Sequence, residues 1–184
     1  MTTITHDGNG APRRGNPFRW LIWGGAAVLL SLPAIAMWQQ VEGVDWTGSD
    51  FAVMGVLLAS ACGAYELMTR LSGDWIYRGA AGVAILAGFL LVWVNLAVGL
   101  VADGGNAYNL AFMGVLGVGV VGALLARFQP AGLSRTLGLM ALVHAAVVVA
   151  ALAAGIDRLG ASLSALWIAP WLLAAVLFRM SSKR

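Results

Sequence analysis

The stretch IYRGAAGVAILAGFLLVWVNLAVGLV, residues 76–101, contains 26 residues, and Arg78 is its single charged side chain. A helix that crosses the hydrocarbon core of a membrane needs about 20 mostly apolar residues, so this stretch is long enough to span a bilayer. Its apolar residues are continuous and do not alternate with polar ones, which favours a helix over a strand of a membrane barrel. The stretch therefore predicts a transmembrane helix.

Five other stretches of the chain share this length and character. The six predicted spans are residues 18–38, 51–70, 76–101, 108–128, 133–156 and 161–179. Because the connections between them are short, we expect successive helices to be antiparallel neighbours. The predicted fold is all-α: a polytopic membrane protein whose six transmembrane helices form three antiparallel hairpins.

The composition supports this fold class and excludes a water-soluble globular domain. Of the 184 residues, 60% are hydrophobic and 10% are charged, and the mean hydropathy is +0.85. Soluble domains contain roughly 45–50% apolar and about 25% charged residues. A pI of 9.6 is common among proteins that bind nucleic acid. Here the basic residues are scattered between apolar spans, so we expect the lipid bilayer as a partner and no nucleic acid.

The basic residues are distributed unevenly over the two sides of the predicted bundle. Ten of the eleven lysines and arginines fall on the side that carries both chain ends, and Arg158 alone falls on the other side. Basic loops of membrane proteins are retained in the cytoplasm. Both termini are therefore predicted to be cytoplasmic.

The chain divides into one membrane domain with two short tails. Residues 1–17 are polar and contain glycine and proline without periodicity, which predicts a disordered cytoplasmic tail. Residues 18–180 form the predicted six-helix domain, and residues 181–184 a cytoplasmic C-terminal tail. A cleaved signal peptide is the alternative for the first span, but its apolar run is longer than a usual signal core.

A shift of 59 residues partly aligns the chain with itself. MGVL at residues 54–57 then matches MGVL at 113–116, and Asp50 matches Asn109. An internal duplication would create a parallel repeat about an axis along the membrane normal. Chance matches are common in apolar sequences, so a true duplication and coincidence both stay open.

Glu66 is the only acidic residue inside a predicted span. It lies four residues before Arg70, so the two side chains share one helix face, and Arg78 enters the membrane at the same depth in the next span. An ionisable group in a span is a candidate functional residue. A structural cluster of Glu66, Arg70 and Arg78 is favoured over a proton or cation relay, because arginine can neutralise the carboxylate.

Polar side chains gather near the outer ends of the second, third and fourth spans. Trp93 and Asn95 lie toward the end of the third span, Asn106 and Asn109 follow it, and Asp50 precedes the second. Asp50 and Asn109 suit the N-caps of helices 2 and 4. Asn95 lies within an apolar run, where an amide normally bonds to another helix. Capping with interhelical bonding is one interpretation, and a polar pocket that opens outward is the other.

His144 is the only histidine inside a predicted span. Histidine can relay protons, bind a metal or ligate haem. Further ligands at the same depth would be needed for a metal or haem, and Cys62 is the only cysteine of the chain. We therefore favour a neutral imidazole that is hydrogen-bonded between helices, and we expect no metal and no cofactor.

The fourth span contains a run of closely spaced glycines, at positions 114, 117, 119 and 122. Small residues at this spacing let helices approach closely in lipid. The run predicts that helix 4 is a packing hub, with Gly79 and Gly82 of helix 3 as a matching surface. The alternative is a contact surface for a membrane protein partner or for a second copy of the chain.

Known catalytic motifs are missing from the sequence. It contains no phosphate-binding glycine loop, no G-x-S-x-G and no H-E-x-x-H. No predicted span contains a lysine, which excludes a retinal Schiff base. We therefore predict that the protein is not an enzyme.

Several segments resemble a family of small bacterial multi-pass integral membrane proteins to which no activity is assigned. They are YEL at residues 65–67, YR at 77–78 and FLLVWVNLAVG at 89–99. The resemblance implies a bacterial inner-membrane protein and supplies no activity. Members often carry glutamine in helix 5 where this chain has His144, which weakens a metal or haem role for that histidine.

Two functions are compatible with these patterns. The first is a non-enzymatic inner-membrane protein, either free-standing or an accessory or structural subunit of a larger membrane complex. The alternative is a small-solute transporter, or the substrate-binding membrane subunit of one, with an outward-facing polar pocket. This alternative depends on size and span number alone.

Overall fold

The computed structural model describes residues 19–101 and 107–183. In these residues the chain forms helices joined by short connections, without a strand. The helices are α1 (Arg19–Trp38), α2 (Gly48–Leu71), α3 (Trp75–Ala97), α4 (Ala107–Leu125), α5 (Pro130–Ala153), α6 (Arg158–Ser164) and α7 (Ile168–Ser181), with a 3₁₀ turn at Ala165–Trp167 between the last two. Taking α6 to α7 as one segment, six described helices are long and apolar enough to cross a membrane.

The six long helices confirm the all-helical, multi-span prediction, with shifts at the boundaries. The predicted tail at residues 1–17, Asn106 of the candidate pocket and Arg184 lie outside the described residues. Ser181 was predicted to begin the C-terminal tail, but it belongs to α7 and is buried.

Helix α3 ends at Ala97, four residues before the end of the predicted span. Gly99 has a φ of +76°, a left-handed conformation that suits a residue without a Cβ. The chain then folds back, and Leu100 and Val101 are buried although they are not helical. Hydropathy cannot distinguish this apolar turn from another turn of helix, because both have the same composition.

The last span is broken at the 3₁₀ turn rather than being one continuous helix. Pro170 lies in the first turn of α7 and has no N–H to donate to the preceding turn. At the 3₁₀ turn, the Ile168 N–H bonds to the Ala165 carbonyl instead of the Ser164 carbonyl, which it would reach in a continuous α-helix. The kink expected at Pro170 is therefore an interruption of the helix one turn earlier.

The core of the bundle is formed by α3, α5 and α7. Helix α7 lies between α3 and α5, α4 packs on α5, α2 packs on α3, and α1 packs mainly on α2. The largest buried side chains are Trp171, Tyr77, Phe112, Phe178 and Leu91. Helix α1 has no buried residue.

The prediction that helix 4 is the packing hub is wrong. Its glycines 119 and 122 face α5, where an added Cβ at Gly119 would stand 2.6 Å from Met140 Sδ and one at Gly122 would collide with Thr136. Nothing lies within 4 Å of the Cβ positions of Gly114 and Gly117. Gly119 and Gly122 thus allow α4 and α5 to pack closely. The helix at the centre of the bundle is α7, which packs on both α3 and α5.

The two ends of the bundle can be named by their residues. The Arg19 end contains the start of α1, the 72–74 and 126–129 connections and the end of α7, where Tyr77 meets both Phe128 and Phe178. The Asn95 end contains the 39–47, 98–101 and 154–157 connections. Described basic residues lie at the Arg19 end, at positions 19, 70, 78, 127, 135, 179 and 183, while Arg158 lies at the Asn95 end.

Candidate functional site

Asn95 and Asn109 form a buried hydrogen-bonded link between α3, α4 and the residues that directly follow α3, Leu100 and Val101. The Asn95 Nδ2 donates to the Asn109 carbonyl at 3.0 Å. The Asn109 Oδ1 accepts the N–H groups of Leu100 at 3.0 Å and Val101 at 3.1 Å, and its Nδ2 donates to the Val101 carbonyl at 3.1 Å. The two side chains are 9% and 2% exposed. They therefore bind the protein's own backbone, which explains why Asn95 can lie inside an apolar helix.

The prediction that Asp50 and Asn109 are the N-caps of helices 2 and 4 needs a correction. The N-cap of α2 is Thr47, and Asp50 occupies the third helical position of a capping box. The Thr47 N–H donates to Asp50 Oδ2 at 2.7 Å, and the Asp50 N–H donates to Thr47 Oγ1 at 3.4 Å. Asn109 is the third residue of α4, and its carboxamide bonds to the backbone of Leu100 and Val101, which follow α3. Asp50 satisfies the backbone N–H of the N-cap residue three positions before it. Neither side chain is therefore an N-cap.

The predicted polar pocket is not assembled by the described residues that were assigned to it. Asn95 and Asn109 come together, but Asp50 is exposed and lies in the capping box, and Trp93 is 41% exposed. Trp93 does line a cavity of about 340 Å³ between α1, α2 and α3, with Pro33, Trp46 and Phe89 among its neighbours. That cavity is apolar, and neither asparagine lines it.

His144 is fully buried in α5 and bonds across to the broken last span. Its Nε2 donates to the Ser164 carbonyl at 2.9 Å, directly before the 3₁₀ turn. The imidazole lies 5.0 Å from the Phe112 ring, between centroids. The Nδ1 atom has no hydrogen-bond partner among the described residues. The interpretation of His144 as an interhelical hydrogen-bond donor agrees with this geometry.

Glu66 lies at the Arg19 end and is shared by two helices. Its carboxylate pairs with Arg70 one turn later in α2 and with Arg19 Nε of α1 at 3.5 Å. The Trp23 Nε1 also donates to Glu66 Oε2, at 3.3 Å. The Glu66 side chain is 15% exposed, while both arginines are largely exposed. The cluster therefore joins α1 to α2 at the Arg19 end of the bundle.

Arg78 does not join this cluster, contrary to the prediction. Its Nε donates to the Ser72 carbonyl at 3.0 Å and its Nη2 to the Thr69 carbonyl at 2.9 Å. Both carbonyls lie at the C-terminal end of α2, where a cation also interacts favourably with the helix dipole. Position along the sequence predicted Arg78 as a partner of Glu66. Arg19 and Trp23 take that place, because α1 lies against α2. Arg19 and Trp23 are four residues apart and so share one face of α1, which is the sequence feature that indicates a common partner.

A groove on the side of the bundle has a cavity volume of about 420 Å³. We call it the lateral groove. It is walled by α2, α3, α4 and α5, and Trp171 and Phe178 of α7 form its base. It exists because α4 packs on α5 and makes few contacts with α3. Its lining is almost entirely apolar.

Within the described residues, no group of three or more His, Cys, Asp or Glu side chains could hold a metal ion. Cys62 is buried under α1, with its Sγ 3.9 Å from the Ile22 carbonyl.

Comparisons with known proteins add no relative. A scan against protein-family models, a search of curated proteins and a search of solved structures each found no match.

Proposed function

We propose that this chain is a non-enzymatic, multi-pass protein of the bacterial cytoplasmic membrane that serves as an accessory or structural subunit of a larger membrane complex. The observation that carries the proposal is how its intramembrane polar groups are used. Asn95, Asn109, His144 and Glu66 bind the protein's own backbone, or its own arginines and tryptophan. Such groups stabilise a scaffold, and none of these four side chains lines either of the two cavities described above.

In this proposal the six helices cross the membrane as three hairpins, with both termini in the cytoplasm. Support comes from contacts that run in opposite order along paired helices: Arg19 meets Glu66 and Leu30 lies near Gly55. The excess of basic residues at the Arg19 end supports a cytoplasmic location for that end.

All the long helices expose some apolar surface, and two of them, α1 and α4, are the ones that we consider as contact surfaces for a partner. Helix α1 exposes Trp20, Val28 and Leu29, each more than half exposed. Helix α4 presents Gly114 and Gly117 without a neighbour. Small residues on an open helix face allow another helix to approach closely, so α4 is the proposed contact helix.

Gentle extraction after cross-linking in native membranes tests the subunit role. We expect the chain to be recovered with a second membrane protein in constant proportion. The Gly117→Phe variant should lose that protein while remaining folded, whereas Gly63→Phe, at an equally open glycine of α2, should retain it. Recovery of the wild-type chain as a lone, uniform particle would reject the subunit role.

Reporter fusions test the topology separately. A fluorescent protein fused after Arg184 should fluoresce, and alkaline phosphatase inserted in the 39–47 connection should be active, because the first folds in the cytoplasm and the second outside it. The reversed pair of results would show the opposite orientation.

A further inference from the structure

The cavity of about 340 Å³ between α1, α2 and α3 lies along one part of α1 only. We call it the α1 cavity. Helix α3 contributes Phe89 and Trp93 to its lining, and Trp93 is 41% exposed. The α1 residues that line it all belong to the second half of that helix: Leu29, Leu32, Pro33 and Ala36. Over this half, α1 therefore borders a cavity instead of packing tightly on its neighbours.

The first half of α1, in contrast, is held against α2. Arg19 and Trp23 both bind the Glu66 carboxylate. Leu30 packs beside Gly55, where an added Cβ would stand 3.8 Å from Leu30 Cδ2. The contacts that join α1 to α2 thus extend from the Arg19 end to the middle of the helix.

Residues 33–45 lack such contacts, and we call them the strap. They comprise the end of α1 and most of the connection to α2. Among the described residues, the strap makes hydrogen bonds only within itself and with the preceding turn of α1, as from the Val41 N–H to the Ala36 carbonyl. Directly after the strap, Trp46 packs edge-on against Phe51 of α2, with 5.2 Å between the ring centroids. The strap is therefore anchored at its two ends and not between them.

The turn of α1 that leads into the strap departs from regular helical bonding at two successive carbonyls. Pro33 lies inside the helix and has no N–H to donate to the Leu29 carbonyl. The Ser31 hydroxyl donates to the Val28 carbonyl at 2.7 Å, and back-bonding of this kind often bends helices. Sharp bends in helices occur at such sites, so this turn is suited to act as a hinge.

Movement of the strap is opposed by little packing. Helix α1 has no buried residue, and lipid tails are as apolar as the side chains that they would replace around it. Closing the α1 cavity would also restore dispersion contacts that its lining residues lack while it is open.

We propose that the strap is a hinged lid, which closes over the α1 cavity when α1 bends at residues 31–33, and that the structure shows it open. The unusual bonding of the hinge turn accounts for the bend, and the cavity accounts for the space into which the strap moves. The lid would control access to the cavity from the surrounding lipid. The inference depends on the membrane insertion that we propose above, and it does not depend on the subunit role.

Distances between spin labels on the full-length protein in lipid nanodiscs test the proposal, in a Cys62→Ala background. Labels at Ile35→Cys and Leu96→Cys, both exposed positions, report the distance from the strap to α3. Labels at Leu21→Cys and Trp75→Cys report the first half of α1 in the same way. We expect a broad or double distribution for the strap pair and a narrow one for the other pair. A bend of roughly 20° moves the last turn of α1 by about 3 Å.

Pro33→Ala tests the hinge, because it restores the N–H that α1 lacks. We expect the distribution of the strap pair to narrow to a single maximum, while the pair on the first half of α1 stays unchanged and shows that the helix is still in place. Pro130→Ala is the matched control, since a proline at the first position of a helix interrupts no helical bond. A strap pair that is narrow in the wild type, or equally broad in Pro33→Ala, would overturn the proposal.

A second pair of variants tests the closure. Ala36→Phe places a ring in the cavity and should hold the strap open, so that only the longer distance remains. Ala34→Phe, at an exposed alanine of the same turn that does not line the cavity, should keep the wild-type distribution. Identical distributions in these two variants would contradict a lid that closes on the cavity. Cross-linking and reporter fusions would still decide the proposed function independently.

Discussion

Helix α1 has no buried residue and leans on α2, whereas α5 and α7 bury His144, Trp171 and Phe178 between their neighbours. The polar contacts also differ between α1 and the central helices. The α1–α2 pair is joined by the Glu66 ion cluster at the Arg19 end of the bundle. The bundle of α3 to α7 is joined by buried amide and imidazole hydrogen bonds. Peripheral attachment thus depends on exposed charge, and the central bundle on polar groups with no access to water.

The largest expected effect is at Asn109, because its carboxamide closes the turn after α3. Asn109→Ala leaves the Leu100 and Val101 N–H groups and the Val101 carbonyl without this partner. We expect the free energy of unfolding to fall by about 2–4 kcal/mol, at roughly 1 kcal/mol for each lost bond. Unfolding by SDS in mixed micelles measures it.

The matched control for this variant is Asp50→Ala, at the position that the 59-residue shift aligns with Asn109. Asp50 is exposed and completes a capping box, so its loss should matter much less. Equal effects at the two positions would contradict the distinction between buried and exposed polar groups.

The next effect is expected at His144, which donates to the Ser164 carbonyl beside the helix break. His144→Leu should lower the free energy of unfolding by about 1–2 kcal/mol, since interhelical hydrogen bonds in membranes reach about 1.7 kcal/mol. His144→Gln keeps a donor of similar reach and should recover part of the loss. If leucine proves as stable as histidine, the bond to Ser164 contributes nothing to stability.

Close packing of α4 on α5 predicts a difference between two glycines of the same helix. Gly122→Ala drives a methyl group into Thr136, a stiff β-branched side chain, while Gly114→Ala meets open space. The first variant should be less stable than the second by about 1–2 kcal/mol, the usual cost of overpacking. The same SDS titration compares the two variants. Equal free energies of unfolding would show that α4 and α5 can move apart without a loss of stability.

The smallest effect on overall unfolding is expected at Glu66. Glu66→Gln removes the ion pairs with Arg19 and Arg70, so α1 should detach more often while the central bundle stays intact. The buried Cys62 thiol, which lies under α1, reports this detachment through its rate of labelling by a membrane-permeant maleimide. We expect faster labelling in Glu66→Gln and no change in Glu42→Gln, an exposed acid at the other end. An unchanged rate in both would mean that apolar contact alone holds α1.

The polar side chains show how far the sequence could lead. Asn95, Glu66 and His144 stand out in the sequence because a polar group inside an apolar run needs a partner, and Asn109 stands out as a candidate N-cap. Their partners were mostly missed. Asn109 bonds to a turn that hydropathy assigned to helix 3, and Glu66 takes Arg19 instead of Arg78. Local spacing identifies neighbours on one helix, but it does not tell which other helix lies alongside.

The number of helices, their length and the uneven distribution of basic residues follow from composition and order along the chain, since the cost of unpaired backbone in lipid leaves few alternatives to helices. The central place of α7, the one-sided use of the glycines of α4 and the lateral groove were decided by tertiary packing. All six helices are apolar on every side, so lipid and protein neighbours are nearly equivalent for them. Only the fit of particular side chains, such as Trp171 against Gly88, selects one arrangement.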